Sequence, residues 1–82
     1  MKHLFVKVEI EMFPEPLIGT VEKRITSNQP GRVKFLGTYW PAKLHHTSRQ
    51  ITLIPEQTIH IIGIQGITLL VAPANNKLNR KK

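Results

Sequence analysis

The sequence predicts an all-β fold, a small closed or nearly closed barrel of five or six short strands. Three observations predict it. Pro, Gly and Asn cut the 82 residues into short pieces, at 13–16 ("FPEP"), 27–31 ("SNQPG"), 36–37, Gly63, Gly66 and 72–76 ("APANN"). Between these breakers Ile, Val, Leu and Thr recur at period two, which sets alternate side chains on one face of a pleated strand. Late in the chain that alternation changes phase beside a glycine, as it does where a strand bends around the corner of a barrel.

The elements follow in order. The opening piece alternates Val6, Val8, Ile10 and Met12 with Lys7, Glu9 and Glu11 and reads as a strand, although Leu4, Val8 and Met12 also fit a short helix. "FPEP" reads as the turn that ends it. Residues 20–26 alternate Val21 and Ile25 with Glu22 and Arg24, and "SNQPG" closes that strand with turn chemistry.

In "GRVKFLGTYWPAKL", 31–44, a two-residue turn at Leu36 and Gly37 fixes a hairpin register, with Gly supplying the positive φ such turns need. Leu is an unusual first residue for it. Phe35 then faces Thr38, Lys34 faces Tyr39, Val33 faces Trp40 and Arg32 faces Pro41. Val33, Phe35, Trp40 and Ala42 share the core face; Arg32, Lys34, Tyr39 and Lys43 share the solvated one.

Residues 45–57 read as a connecting loop with one short strand or turn around Ile51, Leu53 and Ile54. In "TIHIIGIQG" Ile59 and Ile61 take one face and Ile62 and Ile64 the other, which predicts a bulge or a sharp bend at Ile61–Ile62 beside Gly63. Gly66 turns the chain into "ITLLVAP", with Ile67, Leu69 and Val71 inward. The organisation expected is an N-terminal extension over 1–18, a barrel over 19–74 and a basic flexible tail over 75–82.

Without Cys, no disulfide or thiolate metal site staples the fold, so burial and backbone pairing must hold it. No apolar run reaches the ~18–20 residues that span a bilayer. The expectation is a soluble, cytoplasmic chain. Its net charge of +7 favours acidic partners, but Lys77, Arg80, Lys81 and Lys82 crowd the last six residues. Inside the body, every charge from Lys23 to Arg49 is positive.

Catalysis finds little to build on. The chain has no Asp and no Cys, and its carboxylates are Glu9, Glu11, Glu15, Glu22 and Glu56, scattered along the sequence. His45, His46 and His60 do not occur at a ligand-like spacing with a carboxylate, so neither metal nor cofactor is expected. The chain reads as a non-enzyme. The basic block has two readings: a solvated strand face, or a cationic track of Arg24, Arg32, Lys34 and Lys43 with Tyr39 as a stacking platform for single-stranded nucleic acid. The tail offers peripheral contact with an anionic membrane surface.

The segments "GTVEKRIT", "QPGRVKFLGTYWPAKL" and "ITLIPEQTIHIIGIQGITLLVAP", within 19–73, resemble the C-terminal domain of NfeD-like proteins. That domain has a glycine-led first strand, a "PxG-V-x-x-x-G-x-x-W-x-A" hairpin and a closing "V-x-V-x-x-V-x-G-x-x-L-x-V-x-P". The hairpin elements here are Pro30, Gly31, Val33, Gly37, Trp40 and Ala42. The closing elements are Ile59, Ile61, Ile64, Gly66, Leu69, Val71 and Pro73.

The resemblance implies a five-stranded barrel of the oligonucleotide/oligosaccharide-binding (OB) type. It also implies a non-enzymatic role in protein contacts, with a stomatin- or prohibitin-like partner at the periphery of a membrane. Two departures stand out. Gln57 replaces the Gly that commonly precedes the fourth strand, and the loops are more basic than is usual in the family.

Overall fold

The computed structural model describes residues 9–45 and 50–74, and these form seven strands and no helix. They are β1 (Ile10–Lys23), β2 (Ile25–Thr26), β3 (Gly31–Phe35), β4 (Thr38–Leu44), β5 (Thr52–Leu53), β6 (Thr58–Gln65) and β7 (Thr68–Pro73). Five of them close a barrel in the order β1-β3-β4-β7-β6, with β6 returning to β1; β2 and β5 pair separately. β4 and β7 run parallel and the other seams are antiparallel. Counting barrel strands alone, the order is first, second, third, fifth, fourth, the OB arrangement.

The β3–β4 hairpin has the register expected of it: Phe35 opposes Thr38, Lys34 Tyr39, Val33 Trp40, Arg32 Pro41 and Gly31 Ala42. Its turn places both central residues in the left-handed region, Leu36 at φ 54° and Gly37 at φ 76°, the type I′ pattern whose twist matches that of the flanking strands. Gly37 adopts it freely. Leu36 pays about 1–2 kcal/mol of backbone strain and recovers nothing by burial, since it is 85% exposed.

In the β6–β7 hairpin Gln65 opposes Thr68, and only Gly66 of the turn is left-handed, at φ 65°, which is the type II′ pattern. Leu69 and Val71 face inward and are buried. Ile67, expected to join them, is instead the second turn residue and is 70% exposed. The two-residue turn consumes the position that simple alternation had assigned to the core.

The N-terminal half of β1 corrects a second expectation. The chain does not turn at "FPEP" but continues as strand. Met12 opposes Gly63 and Leu17 opposes Ile61, so the four residues 13–16 stand against Ile62 alone. On its other side β6 pairs Ile61 with Val71 and Gly63 with Leu70, leaving Ile62 unmatched there as well. Pro14 and Pro16 have no N–H to give a ladder, and a bulge is where a strand can carry them. The expected phase change at Ile61–Ile62 is this bulge, and it returns Ile64 to the core side.

The core comprises Val21, Ile25, Val33, Ala42, Leu53, Ile59, Ile61, Leu69 and Val71, with Phe13, Phe35, Trp40, Leu44, Ile51 and Ile64 packed on it. Ile25 and Leu53, opposed in the β2–β5 pair, close one end. The expected short strand in 45–57 is β5. After it, Gln57 ties the turn at Pro55–Glu56: its backbone N–H donates to the Ile54 carbonyl at 3.1 Å, and its Oε1 accepts from the Ile54 N–H at 3.1 Å. Glu56 is left-handed in that turn, at φ 76°.

Candidate functional site: the outer face of the β3–β4 hairpin

With Val33 and Ala42 turned inward, strand alternation obliges Arg32, Lys34, Tyr39 and Lys43 to face outward. Tyr39 is 53% exposed. The Lys34 ammonium lies 5.8 Å from its ring centroid, from directly across the hairpin, and the Arg32 guanidinium lies 5.7 Å from it, from the diagonal position. Both distances are in the cation–π range. An exposed ring flanked by two cations can stack a planar group and accept an anion beside it.

One cation of the three-residue group is already engaged. Arg32 Nε donates to Glu22 Oε1 at 2.8 Å. Sequence alone did not point to Glu22, because its position depends on how β1 crosses β3. The pairing shifts between Val21 and Lys23, and that irregularity sets Glu22 beside Arg32. Glu22 was otherwise one more polar residue on an alternating strand.

The structure therefore brings Arg32, Lys34 and Tyr39 together and leaves two expected members apart. Lys43 shares the outer face but sits at the β4–β7 seam opposite Leu70, further down the strand. Arg24 is exposed at the break between β1 and β2. What it contributes locally is backbone: a Cβ on Gly31 would lie 2.8 Å from the Arg24 carbonyl carbon and closer still to the carbonyl oxygens of Lys23 and Arg24. Gly31 is the residue that lets this crossing form.

Trp40 packs against the core, as its register requires, and its buried Nε1 has no hydrogen-bond partner among the described residues. His60 lies between inward-facing Ile59 and Ile61, and the His45 N–H donates to the Val71 carbonyl at 3.1 Å. Among the described residues no group of three or more His or Glu could hold a metal ion. His46, Arg49 and the basic tail lie outside the described residues.

Strand order, the parallel closing seam and the inward and outward sets of the hairpin define the class, a small OB-type β-barrel. Among solved structures the chain is similar to the C-terminal domain of stomatin operon partner protein 1510-C from Pyrococcus horikoshii, with a TM-score of 0.61 and 24% sequence identity, covering 74% of this chain and 88% of that one. At that identity the likeness is one of fold, and the fold is the one that the resemblance to NfeD-like proteins implies. No protein-family model matches the chain, and no curated protein matches it in sequence. Among the described residues no helix is long and apolar enough to cross a membrane.

Proposed function

We propose that the chain is a non-enzymatic interaction module of NfeD type that docks on a stomatin- or prohibitin-like protein at the periphery of a membrane. The observation that carries this reading is the likeness of its barrel to the C-terminal domain of a stomatin operon partner protein. The hairpin that carries the resemblance, with Gly31 and Val33 on β3, Gly37 in its turn and Trp40 and Ala42 on β4, supports the reading. Crosslinking the full chain to a purified stomatin-like protein at several salt concentrations tests it. Capture that persists at physiological salt supports the reading, and no capture at any salt overturns it.

A second reading has its own observation, the Tyr39 ring flanked by Lys34 and Arg32. OB barrels meet single strands on this hairpin, with aromatics stacking bases and cations following phosphates. The pairing of Arg32 with Glu22 removes one cation from that track, so the protein-docking reading is preferred. Titration of a labelled single-stranded oligonucleotide separates the two. Stacking predicts affinity that falls steeply with salt and drops about tenfold or more in Tyr39→Ala; an unchanged affinity removes it.

A further inference from the structure

The exposed apolar side chains are not scattered. β3 runs up to the turn at Leu36–Gly37 and β4 runs away from it; β7 is parallel to β4, so the turn at Gly66–Ile67 lies at the same end of the barrel. β1 is antiparallel to β3 and β6 and so begins at that end. Among the described residues, six of the eight exposed large hydrophobics lie toward that end: Ile10, Met12, Leu17, Ile18, Leu36 and Ile67. Of the other two, Tyr39 lies on the side of the barrel and Ile54 belongs to the opposite end, which the β2–β5 pair closes.

Single exposed hydrophobics are ordinary, but a set gathered on one surface marks a contact site. Leu36 adds an independent sign, because it holds a left-handed backbone that Asn or Gly would adopt more cheaply and gains no burial within the chain. Charge then selects the occupant. Glu9, just before β1, and Glu11 and Glu15 within it are exposed and have no ion pair among the described residues. Lys34, one rung from the Leu36–Gly37 turn and over the Tyr39 ring, also lies near this end, whereas Lys23, Arg24 and Lys43 lie toward the other, so carboxylates outnumber free cations among the described residues here. Those carboxylates would face their own kind in a second copy docked end to end, and they oppose an anionic bilayer.

We propose that this end of the barrel receives an amphipathic segment of the partner protein, apolar on the docking face and bordered by Lys or Arg. The proposal rests on the protein-docking reading and names the surface that serves it. Leu36 and Ile67 are the anchors at the two turn tips. Glu11 and Glu15 select the cationic border.

The test uses full chain carrying Leu36→Asn and Ile67→Ser together, both residues that type I′ and II′ turns favour, so that the hairpins remain intact. The probe is a synthetic amphipathic helix with Leu on one face and Lys along its borders, titrated calorimetrically. Burial of one Leu or Ile side chain corresponds to about tenfold or more in affinity. The double variant is expected to bind at least that much more weakly, a Leu/Glu version of the peptide to bind weakly to both, and Ile54→Ser to bind like the parent. Equal binding by the double variant, or an equal loss in Ile54→Ser, overturns the proposal.

Two other occupants have their own signatures. Self-association of the parent that the double variant abolishes assigns the end to a second copy; sedimentation with phosphatidylserine vesicles that it abolishes assigns it to lipid; either overturns the proposal. In the crosslinking assay with the stomatin-like protein, capture by parent and double variant alike overturns this surface and leaves the docking reading standing. No capture by either overturns both.

Discussion

Substituting Gly31 by Ala tests whether the first crossing of the barrel is understood. Gly31 is not in the left-handed region, so Ala could adopt its backbone conformation, and removing a glycine from a strand ordinarily stabilises by about 0.4–1 kcal/mol through the unfolded chain. Packing predicts the opposite sign. The added Cβ would stand 2.8 Å from the Arg24 carbonyl carbon, against an ordinary contact of roughly 3.5–4.0 Å, and the atoms in its way are main chain rather than the movable end of a side chain. Either β3 or the Lys23–Arg24 backbone must retreat by about 1 Å, which costs about 1–3 kcal/mol by analogy with overpacked cores. Net destabilisation of about 1–2 kcal/mol lowers Tm by about 4–16 °C in a domain of this size. Thermal unfolding followed by circular dichroism reads the change. Gly19→Ala is the internal control, because its Cβ would meet the Ile61 Cδ1 at 2.9 Å, the movable end of a side chain, and main chain only at the Lys34 carbonyl oxygen, 3.3 Å away, so its clash is the milder. A Gly31→Ala variant as stable as the parent, or one less perturbed than Gly19→Ala, refutes the close-crossing argument.

Leu36→Asn alone should raise stability by about 0.5–1 kcal/mol, because Asn enters the left-handed region more readily than Leu and the lost side chain is exposed; a lower denaturation midpoint would contradict this. Ile61→Ala removes a fully buried side chain beside the bulge and should cost about 2–5 kcal/mol in urea unfolding. Glu22→Gln breaks an ion pair whose partners are both more than a third exposed, so stability should fall by no more than a few tenths of a kcal/mol. Its clearer effect should be on any oligonucleotide binding, where the released Arg32 would steepen the dependence of affinity on salt.

The parts of this fold that could be read from sequence are those set by neighbours in the chain. Gly37 and the alternation on either side fix the β3–β4 register residue by residue, and the phase change in "HIIGI" places the bulge at Ile62. "FPEP" was misleading because a proline pair signals only that N–H groups are missing, and both a turn and a bulge meet that condition. Which one forms depends on β6 being available opposite, some fifty residues away. The same limit applies to the site. Lys34 and Tyr39 meet across a local hairpin and were foreseeable; Glu22 reaches Arg32 only through the irregular β1–β3 crossing. The gathering of Leu36, Ile67 and Ile18 at one end follows from the parallel β4–β7 seam, which no local pattern encodes.

That β1 pairs with β6 along most of its length also has a consequence for biosynthesis. β1 precedes β6 in the chain, so while the protein is being made the N-terminal half of β1 has no strand to lie against until β6 has left the ribosome. During that interval an alternating apolar strand with open edges is a template for pairing with other nascent chains. Pro14 and Pro16 delete two of its donors, and Glu9, Glu11 and Glu15 charge it, the pattern of gatekeepers around a strand that must wait. The residues that bend the finished barrel at Ile62 thus also guard the strand before the barrel exists.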